Sequence, residues 1–388
     1  MSKLPRQVRL FGIVSLFNDL ASEMVYPLLP AFVTAVLGAG PVALGALDGA
    51  ADLAAAGVKL AAGRLADRPR RRGPLVVVGY LVAVAVRPLI ALTGTAWQVI
   101  GLRVTDRIGK GVRTPPRDAI IADATPPGLL GRAFGFQRGL DHVGAVVGPL
   151  VAWWLLSQGG VAVRGVIAAS IVPGVVVLGL AVWAVRDGTG RAVAVERASR
   201  LLPTAPDFSR PALPLLAIAA FYLVRLPETL LILRAQELGV SVATITLLWA
   251  ALHVVRSGSS FVGGALTDRV GAARALRLGW LAYAVLAAAF ALAEGAGQAW
   301  LVFLALGLVA GLTESPERAL VSRLAGGRTG SGFGTYHALT GVAALIGGLA
   351  LGALYARAGG PAALAASAAG GTVLVLWRTA VREPGPAA

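Results

Sequence analysis

"GVIAASIVPGVVVLGLAVWAV", residues 165–185, runs for 21 residues without a formal charge. An α-helix rises about 1.5 Å per residue, so this run makes a rod about 30 Å long, the depth of a bilayer's hydrocarbon layer. "LVAVAVRPLIALTGTAW" (81–97) and "LGWLAYAVLAAAFALA" (278–293) repeat the pattern, with Arg87 as their one charge. Outward from these runs, the 388-residue chain is 56% hydrophobic and 14% charged, with a mean hydropathy of +0.75. A soluble chain carries about 25% charge. The composition identifies a polytopic, all-α membrane protein.

Gly, Pro and charge divide the apolar runs into twelve expected transmembrane helices. They fall near 10–36, 42–62, 74–94, 96–118, 132–157, 162–185, 212–236, 241–264, 274–293, 298–320, 331–356 and 361–381. The net charge of +16 would suggest nucleic acid in a soluble protein. Here it marks the loops retained in the cytoplasm. Arg64, Arg68, Arg70, Arg71 and Arg72, then Arg186 to Arg210, then Arg318, Arg323 and Arg328 all fall on the side of the even-numbered connections. Both termini are therefore expected in the cytoplasm of a cell in whose inner membrane the chain resides. The N-terminal stretch reads as a retained first span, because it lacks the short apolar core and cleavage site of a signal peptide. The chain has no cysteine, so neither a disulfide framework nor a thiolate metal site is expected.

The polar, Pro-bearing segment 186–211 reads as a cytoplasmic linker joining two halves, 1–185 and 212–388. The halves resemble each other. "GRLADR" at 63–68 matches "GALTDR" at 264–269, "AFGFQRGLD" from Ala133 matches "GFGTYHALT" from Gly332, and "PRDA" from Pro116 matches "PERA" from Pro316. The spacing stays within one residue of 200 each time. A duplication predicts two pseudo-symmetric six-helix bundles around a central cavity, a plan that places substrate near mid-bilayer.

On these motifs the whole chain resembles the major facilitator superfamily. Gly63, Leu65, Asp67, Arg68 and Arg70–Arg72 match that family's G-x-L-x-D-R-x-G-R-K/R loop, although Pro69–Arg70 replaces its x-Gly. The second copy, Gly264, Leu266, Asp268, Arg269 and Gly271, keeps the glycine. Gly144, Gly148 and Pro149 resemble the fifth-span G-x-x-x-G-P pattern of the drug-efflux-like proton antiporters. The resemblance implies that spans 1, 4, 7 and 10 line the cavity. It also implies that Gly63, Asp67, Arg68 and Arg72, with Gly264, Asp268 and Arg269, form gating loops. A basic loop that merely fixes topology is the simpler alternative, and close helix packing is the simpler alternative for the glycines.

Charge inside a membrane costs about 2.5–3.5 kcal/mol per residue and commonly marks a wet, functional cavity. Asn18, Asp19 and Glu23 occupy span 1, with the two carboxylates one turn apart. Such carboxylates cannot neutralise each other, so one of them is a candidate to bind a coupling proton or a cationic substrate group. Arg103 and Arg107 lie one turn apart on span 4, as do Asp106 and Lys110. Arg138 has Asp141 and His142 on span 5, Arg225 has Glu228 on span 7, and His253 has Arg256 on span 8. Glu314 supplies charge to span 10. Arg138 with Asp141 reads equally well as a structural ion pair. A lone helical histidine is more often structural than a proton relay.

"DRIGKGVRTPPRD", residues 106–118, then reads as a gradient from cavity to gate. Arg103 and Arg107 are expected at mid-depth, with Lys110 near the inner interface. Arg113, Arg117 and Asp118 are expected in the cytoplasm, after Pro115–Pro116 ends the helix. "RIGKG" loosely resembles the R-x-x-Q-G pattern of proton antiporters, with Lys110 replacing the glutamine. A phosphate loop is excluded by its spacing and by the lack of a preceding strand.

The expected function is secondary active transport of a small organic molecule, exported in exchange for protons by a monomer in the lipid bilayer. The proton gradient supplies the energy, without a cofactor, metal or nucleic-acid partner. Asp19, Glu23 and Glu228 are the candidates for protonation, and Arg107 tunes them or binds substrate. The alternatives are an organic-anion or phosphate-ester carrier using Arg107, Arg138, Arg225 and Arg256, and a non-transporting receptor or scaffold. Nothing resembles the nucleophile elbow, His-rich metal site or nucleotide motif of an enzyme.

Overall fold

The computed structural model describes residues 4–66, 69–125, 130–187, 213–325 and 329–380. Of the expected linker 186–211, all but Arg186 and Asp187 lie outside the described residues. The fold is all-helical: α1 Arg6–Glu23, α2 Pro41–Ala66, α3 Pro69–Leu89, α4 Ala96–Ala124, α5 Leu130–Ser157, α6 Val163–Ala169 and α7 Ile171–Arg186. There follow α8 Leu213–Val224, α9 Glu228–Glu237, α10 Val242–Val270, α11 Ala272–Ala291, α12 Ala296–Ala325 and α13 Thr329–Ala380. Among the described residues, nine helical stretches are long and apolar enough to cross a membrane. The stretches expected as spans 1 and 4 are not among them. Each carries too many charges to pass as apolar: Arg6, Arg9, Asp19 and Glu23 on α1, and five ionised residues between Arg103 and Arg113 on α4. The stretches expected as spans 11 and 12 lie on one assigned helix, interrupted at Gly359, where φ is +82°.

Expected spans 1 and 7 are broken over several residues, and expected span 6 at Ser170 alone. After Glu23 the chain passes through a 3₁₀ turn at Tyr26–Leu28, a helical turn at Leu29–Ala31 and a π turn at Phe32–Val36. Pro27 and Pro30 remove backbone donors there, which prevents an unbroken ladder. After Val224 a second break runs through Arg225, Leu226 and Pro227. The freed backbone groups are met by side chains. The Leu226 N–H donates to Tyr283 Oη at 2.7 Å, and Ser367 Oγ donates to the Val224 carbonyl at 2.6 Å. Irregular backbone survives in an apolar medium only when satisfied in this way.

The chain forms two compact units. The first comprises Met1–Ala39, Ala50–Asp207 and Ser241–His253; the second comprises Gly40–Gly49, Phe208–Val240 and Val254–Ala388. In the first, α1 packs on α5 and α7, and α3 packs on α4 and α7. A core of Val8, Phe11, Val14, Val76, Tyr80 and Val177 fills the space among them. Gly144 and Gly148 set the α1–α5 approach: a Cβ on Gly144 would stand 2.2 Å from the Leu16 carbonyl oxygen, and one on Gly148 2.5 Å from that of Leu20. In the second unit α13 packs on α8 and α11, and Phe221 stacks on Trp280 with ring centroids 5.5 Å apart.

The expectation that Pro115–Pro116 ends a helix is overturned, since α4 continues to Ala124. Side chains anchor it on both sides of the prolines. Arg113 donates to Asn18 Oδ1 at 3.1 Å before them, and Asp123 pairs with Arg72 of α3 after them. Tertiary anchoring outweighs the local cost of proline.

Candidate functional site

In the first unit, the last turns of α1 meet α3 and α4 around Asp106, which is 1% exposed. Arg87 on α3 donates from Nε to Asp106 Oδ1 at 2.9 Å, and Arg103 donates from Nη1 to Oδ2 at 3.5 Å. Arg87 also donates to the Asn18 carbonyl at 3.0 Å and to Asn18 Oδ1 at 3.2 Å. Arg113 shares Asn18 Oδ1 and lies over the Tyr80 ring at 4.7 Å. Asn18 in turn donates from Nδ2 to Asp19 Oδ1 at 2.9 Å. Asp106 thus goes to Arg87 and Arg103 rather than to Lys110 one turn on, because a planar guanidinium meets a buried carboxylate with more donors than an ammonium. The expectation for Arg113 is corrected. It is 2% exposed rather than emerging from the packed helices, and Arg117 is also buried, where it donates to Asp118.

Glu23 sits at the end of α1, just before the break. Its Oε2 accepts from Trp249 Nε1 at 2.9 Å and lies 3.7 Å from His253 Nε2. Both partners come from the first half of α10, within the same unit. Tyr26 packs on Trp249 with centroids 5.0 Å apart, and the Arg103 guanidinium lies over the Tyr26 ring at 4.7 Å from its centroid. Arg107 is half-buried, and the carboxylates whose charge reaches it are Asp106, Asp52 and Glu23. Among the described residues, neither Arg107 nor Lys110 donates a side-chain hydrogen bond or makes an ion pair within 4 Å.

A second cluster belongs to the second unit. Glu228, the first residue of α9, accepts from Arg225 at 3.2 Å and from Arg256 on α10. Next to it, Glu317 Oε2 on α12 accepts from Tyr336 Oη at 2.6 Å and from Tyr222 Oη at 3.2 Å. Asp48 on α2 accepts from the Thr229 N–H at 3.2 Å and from Thr229 Oγ1 at 2.9 Å.

The expected residues thus divide. Asn18 and Asp19 join the Asp106 network, while Glu23 turns to His253, so the two α1 carboxylates have separate partners. His253 and Arg256, one turn apart on α10, serve different carboxylates, Glu23 and Glu228. Arg138 pairs with Asp141 at 3.5 Å, but its side chain is 55% exposed, and His142 is exposed as well. Glu314 is exposed, whereas Glu317, one turn on, is buried. Gly63 lies on α2, and Gly264, Asp268 and Arg269 lie on α10 rather than in loops, with Arg269 exposed. Arg72 forms an ion pair with Asp123 at the end of α4. Asp67 and Arg68 lie outside the described residues.

Sequence reasoning missed Arg87, Asp48, Trp249, Tyr222, Glu317 and Tyr336. Arg87 gave a signal, being the lone charge in an otherwise apolar run. The tyrosines and Trp249 gave none, since an aromatic in a membrane helix reads as packing.

Comparison with known proteins supplies the wider context. The model of the Major Facilitator Superfamily matches residues 11–336. An uncharacterised protein of Mycobacterium tuberculosis (strain H37Rv) is 31% identical over 369 residues, covering 90% of this chain and 87% of its own length. The multidrug resistance protein MdtH of Yersinia enterocolitica is 30% identical over 133 residues, which is 34% of this chain and 33% of MdtH. The crystal structure of the nucleoside transporter NupG superposes with a TM-score of 0.73 at 13% identity, covering 97% of this chain and 98% of that one.

Proposed function

The chain belongs to the Major Facilitator Superfamily, and we propose that it exports a small organic solute in exchange for protons. As a member of that family it is a multi-pass membrane transporter and not an enzyme. The proposal adds the coupling ion, the direction and the residues. Twelve spans arranged as two six-helix bundles, 1–185 and 212–388, with both termini in the cytoplasm of an inner-membrane protein, form its framework. The proton gradient is the energy source, and no cofactor takes part.

One observation carries the coupling reading: Glu23 meets a titratable imidazole, His253, at 3.7 Å, at the break in its helix. Facing Glu23 are Trp249 and His253 from α10, Tyr26 from the break, and Arg103 and Arg107 from α4. With Glu23 ionised, the Trp249 indole N–H donates to it and the His253 ring stands beside it. A proton on Glu23 removes the negative charge that these neighbours face and frees the carboxyl to part from α10. Discontinuous helices at substrate and ion sites are a recurrent transporter device. Efflux is supported by the close-packed Gly144–Gly148 face, which resembles the antiporter pattern, and by the partial likeness to MdtH.

A second reading, carriage of an organic anion, is favoured by Arg107 and Lys110, which lack ion-pair partners within 4 Å among the described residues. Two such cations one turn apart suit a carboxylate or phosphate. Everted vesicles with an acidified lumen separate the readings. Organic cations should release protons from wild-type vesicles and not from Glu23→Gln vesicles. Release triggered by anions alone establishes the carrier reading, and no release with either class overturns coupling.

A further inference from the structure

Glu317 is 3% exposed, and both hydrogen bonds to its side chain come from phenols. Among the described residues no cation approaches it within 4 Å. Asp106 and Glu228 are treated differently, each receiving two guanidinium groups. The cation whose charge reaches Glu317 is Arg225, and that guanidinium donates to Glu228 at 3.2 Å. A buried carboxylate without a contacting cation is costly, and in practice such a group accepts a proton.

We infer that Glu317 is a proton-binding site in the second unit, separate from Glu23, with Tyr222 and Tyr336 as its hydrogen-bonding cradle. The cradle serves both protonation states. Each phenol can donate or accept, and the two hydroxyl oxygens lie 3.4 Å apart, with either able to donate to the other. With Glu317 ionised, both hydroxyls point at Oε2. With Glu317 protonated, the carboxyl donates to one phenol, and rotation of hydroxyl hydrogens completes the exchange without moving a heavy atom. Tyr222 is half-buried and Tyr336 is buried, so Tyr222 is the more exposed member of the cradle.

Among the described residues, each element packed around the site brings charged or titratable groups. From α8 and its end come Tyr222 and Arg225; from α9 comes Glu228, held by Arg225 and Arg256. On α11, Tyr283 is engaged by the Leu226 N–H and Ser367. From α13 come Tyr336 and, stacked on it at 4.9 Å, His337. Glu314 lies one turn away on α12 itself and is exposed.

Infrared difference spectroscopy of the full-length protein in lipid, titrated with pH, reads the site without any substrate. The wild type should show the carbonyl stretch of a protonated carboxylic acid that vanishes on Glu317→Gln. Tyr336→Phe should move that band, because the carboxyl loses a hydrogen-bond partner. A spectrum unchanged by both substitutions overturns the inference. Should Glu317→Gln fail to fold, Tyr336→Phe and Tyr222→Phe decide alone: a band moved by either sustains the site, and one moved by neither removes it. Loss of the band in Glu317→Gln, alongside vesicles that show no substrate-linked proton movement, upholds this site while overturning the coupling reading.

Discussion

Gly45 and Gly348 meet backbone to backbone: a Cβ on Gly45 would stand 1.9 Å from the Gly348 carbonyl oxygen, and one on Gly348 2.5 Å from that of Gly45. Each has a companion four residues on. A Cβ on Gly49 would meet Leu345 Cα at 2.4 Å, and one on Gly352 would meet the Pro41 carbonyl oxygen at 2.9 Å. Two G-x-x-x-G faces thus lie against each other within the second unit, where α2 begins and α13 passes. Small residues allow this approach, which yields van der Waals contact where lipid supplies no hydrophobic drive.

Gly45→Val should therefore lower the thermal stability of the purified protein, by about 1–3 kcal/mol, the usual cost of overpacking. The obstacle is backbone, which cannot swing aside. Gly40→Ala is the control, since an added Cβ there meets nothing within 4 Å. Equal unfolding temperatures for the two variants would show that the glycine contact is not populated in solution.

Asp106→Asn should be among the most damaging single changes. It leaves Arg87 and Arg103 buried around a neutral amide, and removing one partner of a buried pair costs about 3–5 kcal/mol. Adding Arg87→Met should restore part of the loss, because the double variant no longer buries an orphaned guanidinium at that position. Thermal unfolding of both variants in detergent checks this. A double variant no more stable than Asp106→Asn would mean that Arg103 and Arg113 dominate the network.

The Asp48 carboxylate accepts from the backbone N–H and hydroxyl of Thr229, in the first turn of α9. A negative charge there satisfies an orphan donor and complements the helix dipole. Asp48→Ala should cost about 1 kcal/mol, in the range of a lost cap. Combined with Thr229→Val, the loss should be less than additive, because the two side chains share one interaction. Strict additivity in unfolding measurements would place the contribution of Asp48 elsewhere.

Much of this molecule was legible in its sequence, for physical reasons. Apolar length gave the helical membrane class, and the duplicated motifs gave the internal likeness. Helical spacing found the Arg225–Glu228 pair, and the Gly144–Gly148 spacing marked a helix-packing face, which α1 covers. Spacing along one helix says nothing about partners from another, and there the reading went astray. Asp106 prefers Arg87, nineteen residues away on α3, to Lys110 one turn on. Glu23 finds Trp249 and His253 more than two hundred residues on. Proline likewise misled at Pro115–Pro116, where long-range anchors hold α4 together. On the α12 stretch, hydropathy could not distinguish exposed Glu314 from buried Glu317, since they differ only by the face they occupy.

Arg107 and Arg113 separate a working charge from a structural one on the same helix. Arg113 donates to Asn18 and to the Gly79 carbonyl and lies over Tyr80, so Arg113→Ala removes all three contacts and empties a buried volume. Its unfolding temperature should fall in proportion to a loss of about 2 kcal/mol or more. Arg107 makes no hydrogen bond or ion pair within 4 Å among the described residues and is half-buried. Arg107→Ala should thus stay within about 0.5 kcal/mol of the wild type. Substrate-linked proton release in everted vesicles should nevertheless fall at least tenfold, because Arg107 faces Glu23 and Asp52 electrostatically. Full transport by a stable Arg107→Ala variant would return the residue to the category of tolerated membrane charge and leave the coupling reading to Glu23 and His253 alone.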